Sequence, residues 1–404
     1  MSEVRRRHSN ALLSGLLAGY VALLPFQFEA GNHLHFAPAD CFLVLVLVFA
    51  PGQLIYRPLA WTFWHYAILM IFATGSLVAA LRFGSIQRYE VLNKDAGLFL
   101  PFLSYVAVTS AITEWSALRR ILRVFTMAVV VENTVTVAVF LAAYFFHFSN
   151  PFAVYGGLRL SGTMLDPNAY GGLLAAALVI CEGASWGRNP LLSGWTLWFS
   201  RVTLALGLLF TFSRSAWLAL LLGLTVLAVA RTAVVMRFVT AALVGVPILF
   251  VLMGHRFIPI FEEMASRPKQ VQGRFDLIGD GFQAFIHHPL LGGGIGSFRL
   301  AEGEVAHNSA MWFLADFGVA GLAVFVGFVG WFFVKGWLAY RFAPAREQPL
   351  AIGILAAHAS MFGLAMGIEA FYQRHWWLLL GLIAASYSLA RNRESQPPAG
   401  DGGF

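Results

Sequence analysis

The sequence predicts an all-α membrane protein that crosses the bilayer about twelve times. Of its 404 residues, 59% are hydrophobic and 12% are charged, and the mean hydropathy is +0.71. A soluble protein has a charged fraction about twice as large. The apolar residues also come in runs close to the length of about 20 residues that a helix needs to cross a membrane.

These apolar runs give the order of the predicted spans. Polar intervals separate most of them, but almost no loop remains between 195–212 and 214–231. A lipid bilayer leaves backbone groups no water to bind, so each run is predicted to be helical. The predicted spans are 11–27, 38–55, 61–81, 95–113, 119–147, 169–186, 195–212, 214–231, 234–253, 306–334, 350–368 and 374–390.

The cationic residues predict the orientation of the spans. Cytoplasmic loops carry an excess of lysine and arginine, and the sequence shows this excess when the N-terminus is placed inside. Both termini are then cytoplasmic and, in a bacterium, the long segment 254–305 between helices 9 and 10 is periplasmic. Sixteen of the 27 lysines and arginines fall in the predicted inside loops: Arg5, Arg6, Arg7, Arg57, Arg119, Arg120, Arg123, Arg188, Arg201, Arg231, Arg237, Lys335, Arg341, Arg346, Arg391 and Arg393.

The predicted organisation is one transmembrane domain, residues 1–390, followed by a cytoplasmic tail, residues 391–404. The tail is polar and rich in glycine and proline, which predicts disorder. The net charge of +7 is found mainly in short loops, so membrane lipids are the expected surroundings and no nucleic-acid partner is expected. Cys41 and Cys181 both lie in apolar runs and predict neither a disulfide nor a zinc site.

The predicted topology places five candidate residues on the periplasmic side: Arg159, Arg214, Arg274, His307 and Arg374. A random scatter of cations would not be expected to fall on one side. Cations at one membrane edge favour a site for an anionic, lipid-linked substrate. This gathering at one face is the first indication of where the chemistry takes place.

Arg214 lies in TFSRSAWLA, at the joint between two predicted spans, with a serine on either side. An arginine at membrane depth usually has a partner or lines a wet cavity. The alternative is that its side chain extends to the outer head groups. The tightness of the turn favours a binding role.

Arg274 is predicted to lie in the first turn of an amphipathic helix on the membrane surface. Apolar residues within 275–285 repeat at helical spacing. A planar guanidinium suits phosphate because it donates two parallel hydrogen bonds. The alternative is a surface arginine paired with Asp276 or Glu263.

His307 begins a predicted span at the outer interface. An imidazole titrates near neutral pH and can take a proton from an attacking hydroxyl. The alternative is a capping or interfacial residue. His287 and His288 are rival bases, although their position before Pro289 indicates a turn.

Two outer loops supply further candidates for substrate binding. In GGGIGSF, Gly294 and Gly296 would permit close backbone contact with a ligand, or form a flexible turn. In LRLSGTMLDPNAYGG, the candidates are Arg159 and Asn168. Asp166 before a proline predicts a helix start, and N-capping alone would explain this aspartate.

No metal site is predicted, because the outer carboxylates lack the dense spacing of ligands. Glu132 and Asn133 form an intramembrane polar pair in the fifth span. Such a pair can be a structural hydrogen-bond site or a functional one, and the sequence leaves both open.

Three motifs, in this order, resemble the O-antigen ligase/O-antigen polymerase superfamily: SRSAWLA, GRxxxxxxGxxxFxxHPLxGxGxGSF and HNSxxxxLxxFGxxG, within Phe210 to Leu322. The resemblance implies a GT-C-like glycosyltransferase of the bacterial inner membrane. Such enzymes take a glycan from undecaprenyl diphosphate at the periplasmic face, without metal or cofactor. By motif position, Arg214 and Arg274 would bind the diphosphate and His307 would activate the acceptor hydroxyl.

The resemblance leaves the acceptor open. A ligase moves the glycan onto lipid A-core in lipopolysaccharide biosynthesis, whereas a polymerase moves it onto another carrier-linked repeat unit. A flippase or transporter of lipid-linked sugars is an alternative of a different class. A transporter should carry ionisable residues near the bilayer midplane, and here the cations gather at one face.

Overall fold

A computed structural model describes residues 3–30, 34–49, 61–84, 88–154, 157–265 and 268–394. This part of the chain is almost entirely helical. Its helices are α1 (Glu3–Leu23), α2 (Pro38–Phe49), α3 (Phe63–Phe83), α4 (Arg88–Ala111), α5 (Trp115–Phe146), α6 (Pro167–Ala184), α7 (Gly194–Phe210), α8 (Arg214–Ala265), α9 (Pro268–His287), α10 (Ser297–Glu302), α11 (Ser309–Phe342), α12 (Gln348–Ala365) and α13 (Arg374–Glu394).

Five of the described helices are long and apolar enough to cross a membrane: α3, α5, the first part of α8 (Arg214–Arg237), α11 and α12. Shorter apolar stretches occur in α1, α2, α4 and α7. The all-α membrane class predicted from hydropathy is therefore confirmed. The number of twelve crossings and the periplasmic placement of 254–305 remain predictions.

The joint between the seventh and eighth predicted spans is a real helix boundary. Helix α7 ends at Phe210 and α8 begins at Arg214, so a three-residue turn, 211–213, separates them. At the next predicted boundary, between residues 231 and 234, α8 is interrupted by a kink, because the backbone of Arg231 is non-helical, with φ of −161° and ψ of 88°. The helix also runs to Ala265, well beyond the predicted end at residue 253.

Two further local expectations were wrong. Helix α9 begins at Pro268, so Arg274 lies in its second turn and not its first. Helix α13 continues to Glu394, so the first residues of the predicted tail are helical, and residues 395–404 lie outside the described part. Two antiparallel hairpins were not expected: β1 (Phe28–Ala30) with β2 (Leu34–Phe36), and β3 (Ala153–Val154) with β4 (Arg159–Leu160).

Polar contacts between segments distant in sequence are found at both ends of the bundle. At one end, Arg374 pairs with Asp40 at 2.7 Å and Lys94 pairs with Glu369 at 2.9 Å. We call this the outer end, because all four residues fall on the predicted periplasmic side. These pairs join segments that the alternating topology assigns to the same side.

At the opposite, inner end, Arg119 pairs with Glu347 at 2.7 Å and Arg123 donates to the carbonyl of Leu191 at 3.1 Å. All four residues fall on the predicted cytoplasmic side. The contacts at both ends agree with strictly alternating spans. Which end faces the periplasm remains a prediction.

Helix α12 packs between α6 and α8 and is buried along nearly all of its length. Glycines allow the close approach: a Cβ on Gly183 would lie 2.7 Å from Cα of Gly353, and one on Gly363 would lie 2.9 Å from Cα of Ala219. Small residues at helix crossings bring backbones together in membranes. The tight packing fixes these three helices relative to one another.

Helix α11 is interrupted at Gly318, where φ is 67°. The segment before α10 completes the broken hydrogen-bond ladder: Val319 N–H donates to the carbonyl of Pro289 at 2.9 Å, and Gly294 N–H donates to that of Asp316 at 2.9 Å. Irregular backbone at membrane depth is tolerated where protein covers it. The break thus ties the glycine-rich segment to α11.

Candidate functional site

The turn between α7 and α8 presents Arg214 at the surface. Ser213 caps α8, because its Oγ accepts from the N–H of Ala216 at 3.2 Å. The hydroxyls of Ser213 and Ser215 lie 3.0 Å apart, and both residues are buried. Arg214 between them is exposed, and no hydrogen bond or ion pair joins its guanidinium to another described residue. Its donors are therefore available to a ligand.

Asn168 connects this turn to the loop before α6. Its Oδ1 accepts from Ser213 Oγ at 2.8 Å and from an Nη of Arg159 at 3.2 Å. Arg159 also donates from Nε to the carbonyl of Thr211 at 2.9 Å. The loop, the start of α6 and the turn therefore form one hydrogen-bonded unit, and Arg159 lies close to the turn that carries Arg214.

The predicted helix start at Asp166 is confirmed. Its carboxylate accepts from the backbone N–H of Asn168 at 2.9 Å and from Nδ2 of Asn168 at 3.0 Å, and Pro167 is the first residue of α6. Both ends of the Asn168 amide are thus held by protein. The amide positions Arg159 and the serine turn, and a direct contact of Asn168 with substrate stays a prediction.

A buried polar network centred on Glu132 supports the same loop. One carboxylate oxygen accepts from the N–H and the Oγ1 of Thr163, both at 3.1 Å, and the other accepts from the hydroxyl of Tyr170 at 2.8 Å. Asn133 donates to the carbonyl of Thr203 at 2.7 Å. Because the network joins α5 to the loop, to α6 and to α7, the geometry favours the structural interpretation of the Glu132–Asn133 pair.

His307 lies in a left-handed bend, with φ of 47°, just before α11. Both of its neighbours are fixed to the segment between α12 and α13. The N–H of Ala306 donates to Oε1 of Glu369 at 3.2 Å, and Nδ2 of Asn308 donates to the carbonyl of Met366 at 3.2 Å. Asn308 also caps α11. The backbone that carries the imidazole is thus held on both sides.

The segment that holds His307 also contacts the turn that carries Arg214. A Cβ on Gly367 would lie 2.4 Å from Cβ of Ser215, so the two backbones meet there. Arg159, Arg214 and His307 therefore gather at one end of the bundle. Helices α6, α8 and α11 all begin there, and their N-terminal dipoles add positive potential for an anion.

An ion pair behind His307 was not predicted from the sequence. Lys94 Nζ lies 2.9 Å from Oε2 of Glu369, and the same ammonium lies 4.7 Å and 5.1 Å from the ring centroids of Trp312 and Tyr372. The pair orients the carboxylate that holds Ala306. No local sequence signal marks it, because its two members are 275 positions apart.

The glycine-rich run approaches protein closely. Gly294 has φ of 97°, and a Cβ there would lie 2.6 Å from the backbone nitrogen of Ala79 in α3. Gly296 has φ of 76°, and its N–H donates to Oδ2 of Asp316 in α11 at 2.8 Å. The conformations of these two glycines are explained by packing against α3 and α11. Contact of Gly294 or Gly296 with substrate stays a prediction.

Two other arginines of the predicted site, Arg374 and Arg274, are placed differently from Arg214. Arg374 makes a bidentate ion pair with Asp40, at 2.8 and 2.7 Å, that joins α13 to α2. Its charge is thus already partnered. Arg274 lies in α9, and its side chain lies outside the described residues. Helix α9 packs against α11, where a Cβ on Gly281 would lie 3.1 Å from Met311.

The rival base His288 lies in a turn, as its sequence context indicated. Its N–H donates to the carbonyl of Phe285 at 3.0 Å. Desolvation lowers the pKa of His288, and the nearby positive charges of Arg82 and His287 lower it further. A lowered pKa favours the neutral imidazole that a general base needs, so His288 stays a rival to His307.

Among the residues described, no three histidine, cysteine, aspartate or glutamate side chains come together in a way that could hold a metal ion. The cationic side chains at the outer end are the groups that could neutralise a bound diphosphate. The absence of a metal requirement stays a prediction, tested below.

Residues 199–326 match the family model described as O-antigen ligase. The match spans the turn with Arg214, helix α9 with Arg274 and the bend with His307, so the resemblance to the O-antigen ligase/O-antigen polymerase superfamily is confirmed. Members of this family are membrane enzymes of the glycosyltransferase type, which indicates a ligase- or polymerase-type activity. A search of curated proteins finds no match to the chain.

Proposed function

We propose that this protein moves a glycan from undecaprenyl diphosphate onto a hydroxyl of lipid A-core, at the periplasmic face of the bacterial inner membrane. One observation carries the proposal. Arg214, the first residue of α8, is exposed and has no partner among the described residues, and the segment that contains Gly367 connects its turn to the bend with His307. An anion site thus lies beside a potential base. The match over residues 199–326 supports the same class of reaction.

The proposed reaction is a single displacement at the anomeric carbon. The acceptor oxygen attacks C1 of the first sugar, and the bond from C1 to the diphosphate oxygen breaks with inversion. Arg214 and Arg274 stabilise the negative charge that grows on the departing phosphate, because cationic donors directed at developing charge lower the barrier. His307 takes the proton of the acceptor hydroxyl.

A polymerase would use the same donor chemistry with a carrier-linked repeat unit as the acceptor. Deletion of the gene in its native host separates these cases. Loss of long-chain glycan from lipopolysaccharide, with carrier-linked polymer retained, is expected for a ligase. A single repeat unit on the core would show a polymerase instead. Unchanged lipopolysaccharide on a gel would contradict both.

We expect transfer to continue without divalent metal. The guanidinium groups supply positive charge where other glycosyltransferases use a cation, and no cluster of ligands is found among the described residues. Purified protein in excess chelator should keep its activity. A loss of activity that magnesium restores would contradict this expectation.

The orientation is tested by reporter fusions at Arg346 and Gly400. Sixteen of the 27 lysines and arginines fall in the predicted inside loops, so both fusions should report the cytoplasm. A periplasmic signal at Gly400 with a cytoplasmic signal at Arg346 would contradict the even number of spans. Periplasmic signals at both positions would place the outer end on the cytoplasmic side.

A further inference from the structure

A cavity of about 900 Å³ opens at the outer end of α5, beside the β3–β4 hairpin. Leu158, which lines it, directly precedes Arg159. On the other side, the ring of Phe140 stacks on Phe210 with centroids 5.1 Å apart, and Phe210 is the last residue of α7 before the Arg214 turn. The cavity therefore adjoins the candidate site without sharing its charged residues.

The length of α5 places this cavity near head-group level. Arg123 contacts the loop at the inner end, and Phe140 follows it seventeen residues later. At about 1.5 Å per residue, these residues are about 26 Å apart along the helix. This is close to the thickness of about 30 Å of the hydrocarbon layer. The last turns of α5 and the hairpin are thus near the aqueous phase, where the head group of a lipid-linked substrate would lie.

The lining of the cavity is aromatic and polar but not charged. Tyr144, Phe145 and Phe148 expose 36%, 55% and 48% of their surface. No lysine, arginine, aspartate or glutamate is among the described residues that line it. A diphosphate would therefore find no oppositely charged side chain among the described residues of this lining. A neutral chain with both apolar faces and hydroxyl groups would find matching surfaces.

Asn150 adds a hydrogen-bond donor that protein does not satisfy. Its Oδ1 accepts from the N–H of Phe152 at 2.9 Å, but its Nδ2 is buried without a partner in the described chain. Buried hydrogen-bond donors are nearly always paired, so an unpaired donor in the lining of a cavity indicates that a bound molecule accepts its hydrogen bond. An acyl chain could not accept this hydrogen bond, whereas a sugar hydroxyl could.

We propose that this cavity binds the glycan of the donor, in the sugar units that follow the one attached to diphosphate. The proposal rests on the proposed function, because the diphosphate lies at Arg214 and the glycan extends past Arg159 into the cavity. Sugar rings present C–H groups with partial positive charge to the negative faces of aromatic rings. The volume falls within the range of roughly 300–1000 Å³ typical of ligand sites.

Two variants remove the proposed contacts, and one control does not. Tyr144→Ala truncates an aromatic wall, and Asn150→Leu removes the unpaired donor at similar size. Phe146→Ala is the matched control, because Phe146 is 78% exposed at the end of the same helix and does not line the cavity. Aromatic residues also gather at membrane interfaces without binding sugar, and the control measures that effect.

The experiment measures binding to purified protein in lipid nanodiscs with two probes. One is the oligosaccharide repeat released by mild acid from the surface polysaccharide of the host, and the other is undecaprenyl diphosphate without sugar. We expect Tyr144→Ala and Asn150→Leu each to weaken oligosaccharide binding about tenfold, or about 1.4 kcal/mol. Binding of the bare carrier should not change, and Phe146→Ala should leave both affinities unchanged. Equal melting temperatures show that the variants fold.

Any one of three results would overturn the proposed glycan site. The unaltered protein would not bind the oligosaccharide, neither cavity variant would weaken oligosaccharide binding, or Phe146→Ala would weaken it as much as the cavity variants do. Failure of the proposed function gives a different pattern. The bare carrier would then not bind, while oligosaccharide binding would still depend on Tyr144.

Discussion

Lysine in place of Arg214 is expected to lower glycan transfer about 100-fold or more, while the amount of inserted protein stays unchanged. Lysine keeps the charge but loses the planar fork that donates two hydrogen bonds to a phosphate. The same loss is expected for Arg274→Lys. A guanidinium that only reaches the lipid head groups would tolerate lysine with little effect.

The structure explains why Arg214→Lys should fold. The cap of α8 comes from Ser213, and the contact with Gly367 comes from Ser215, so neither depends on the guanidinium. Arg237→Lys is the matched control, because Arg237 is an exposed arginine farther along the same helix. The measurement is transfer by each variant, normalised to membrane protein level. Near-normal transfer by both Arg214→Lys and Arg274→Lys would contradict a role for these arginines in binding the diphosphate.

The second large effect is expected at His307. Its φ of 47° lies in the left-handed region, which asparagine adopts more readily than alanine. His307→Asn therefore removes the imidazole with less backbone strain than His307→Ala. We expect transfer to fall by about 10²–10⁴-fold, the usual contribution of a general base, with binding of undecaprenyl diphosphate unchanged.

His287→Asn and His288→Asn separate the rival bases from His307. Both histidines end or follow α9, and both variants are expected to keep transfer near the normal rate. Loss of transfer in His288→Asn, with activity retained in His307→Asn, would assign the base to His288.

The double variant of Arg214→Lys and His307→Asn should lose less transition-state stabilisation than the sum of the two single variants, because the effects of residues that act as one unit are not additive. The measurement is the transfer rate of the double variant beside those of the two single variants.

The features predicted correctly depend on short stretches of sequence. A run of apolar residues specifies a membrane helix, and Asp166 before Pro167 specifies the start of α6. The motif around Arg214 placed a helix boundary within a few residues of the observed turn. In each case the causes lie within a few positions of the residue concerned.

The features that could not be predicted depend on pairs of distant residues. The pairing of Arg374 with Asp40 could not be predicted, because 334 positions separate the two residues. For Gly294, the sequence indicated a close backbone approach but not that the neighbour is Ala79 of α3. Hydropathy predicts where the apolar runs lie. Which helices pack against each other is decided by small residues and buried polar groups along the whole length of each helix.

The central claim is that the site cleaves the bond between the glycan and the carrier diphosphate. The most direct measurement uses purified protein, a donor labelled separately in its glycan and its diphosphate, and lipid A-core as the acceptor, in the presence of chelator. We expect one undecaprenyl diphosphate to be released for each glycan transferred. Release of undecaprenyl monophosphate, or movement of the intact donor across the bilayer without cleavage, would contradict the claim.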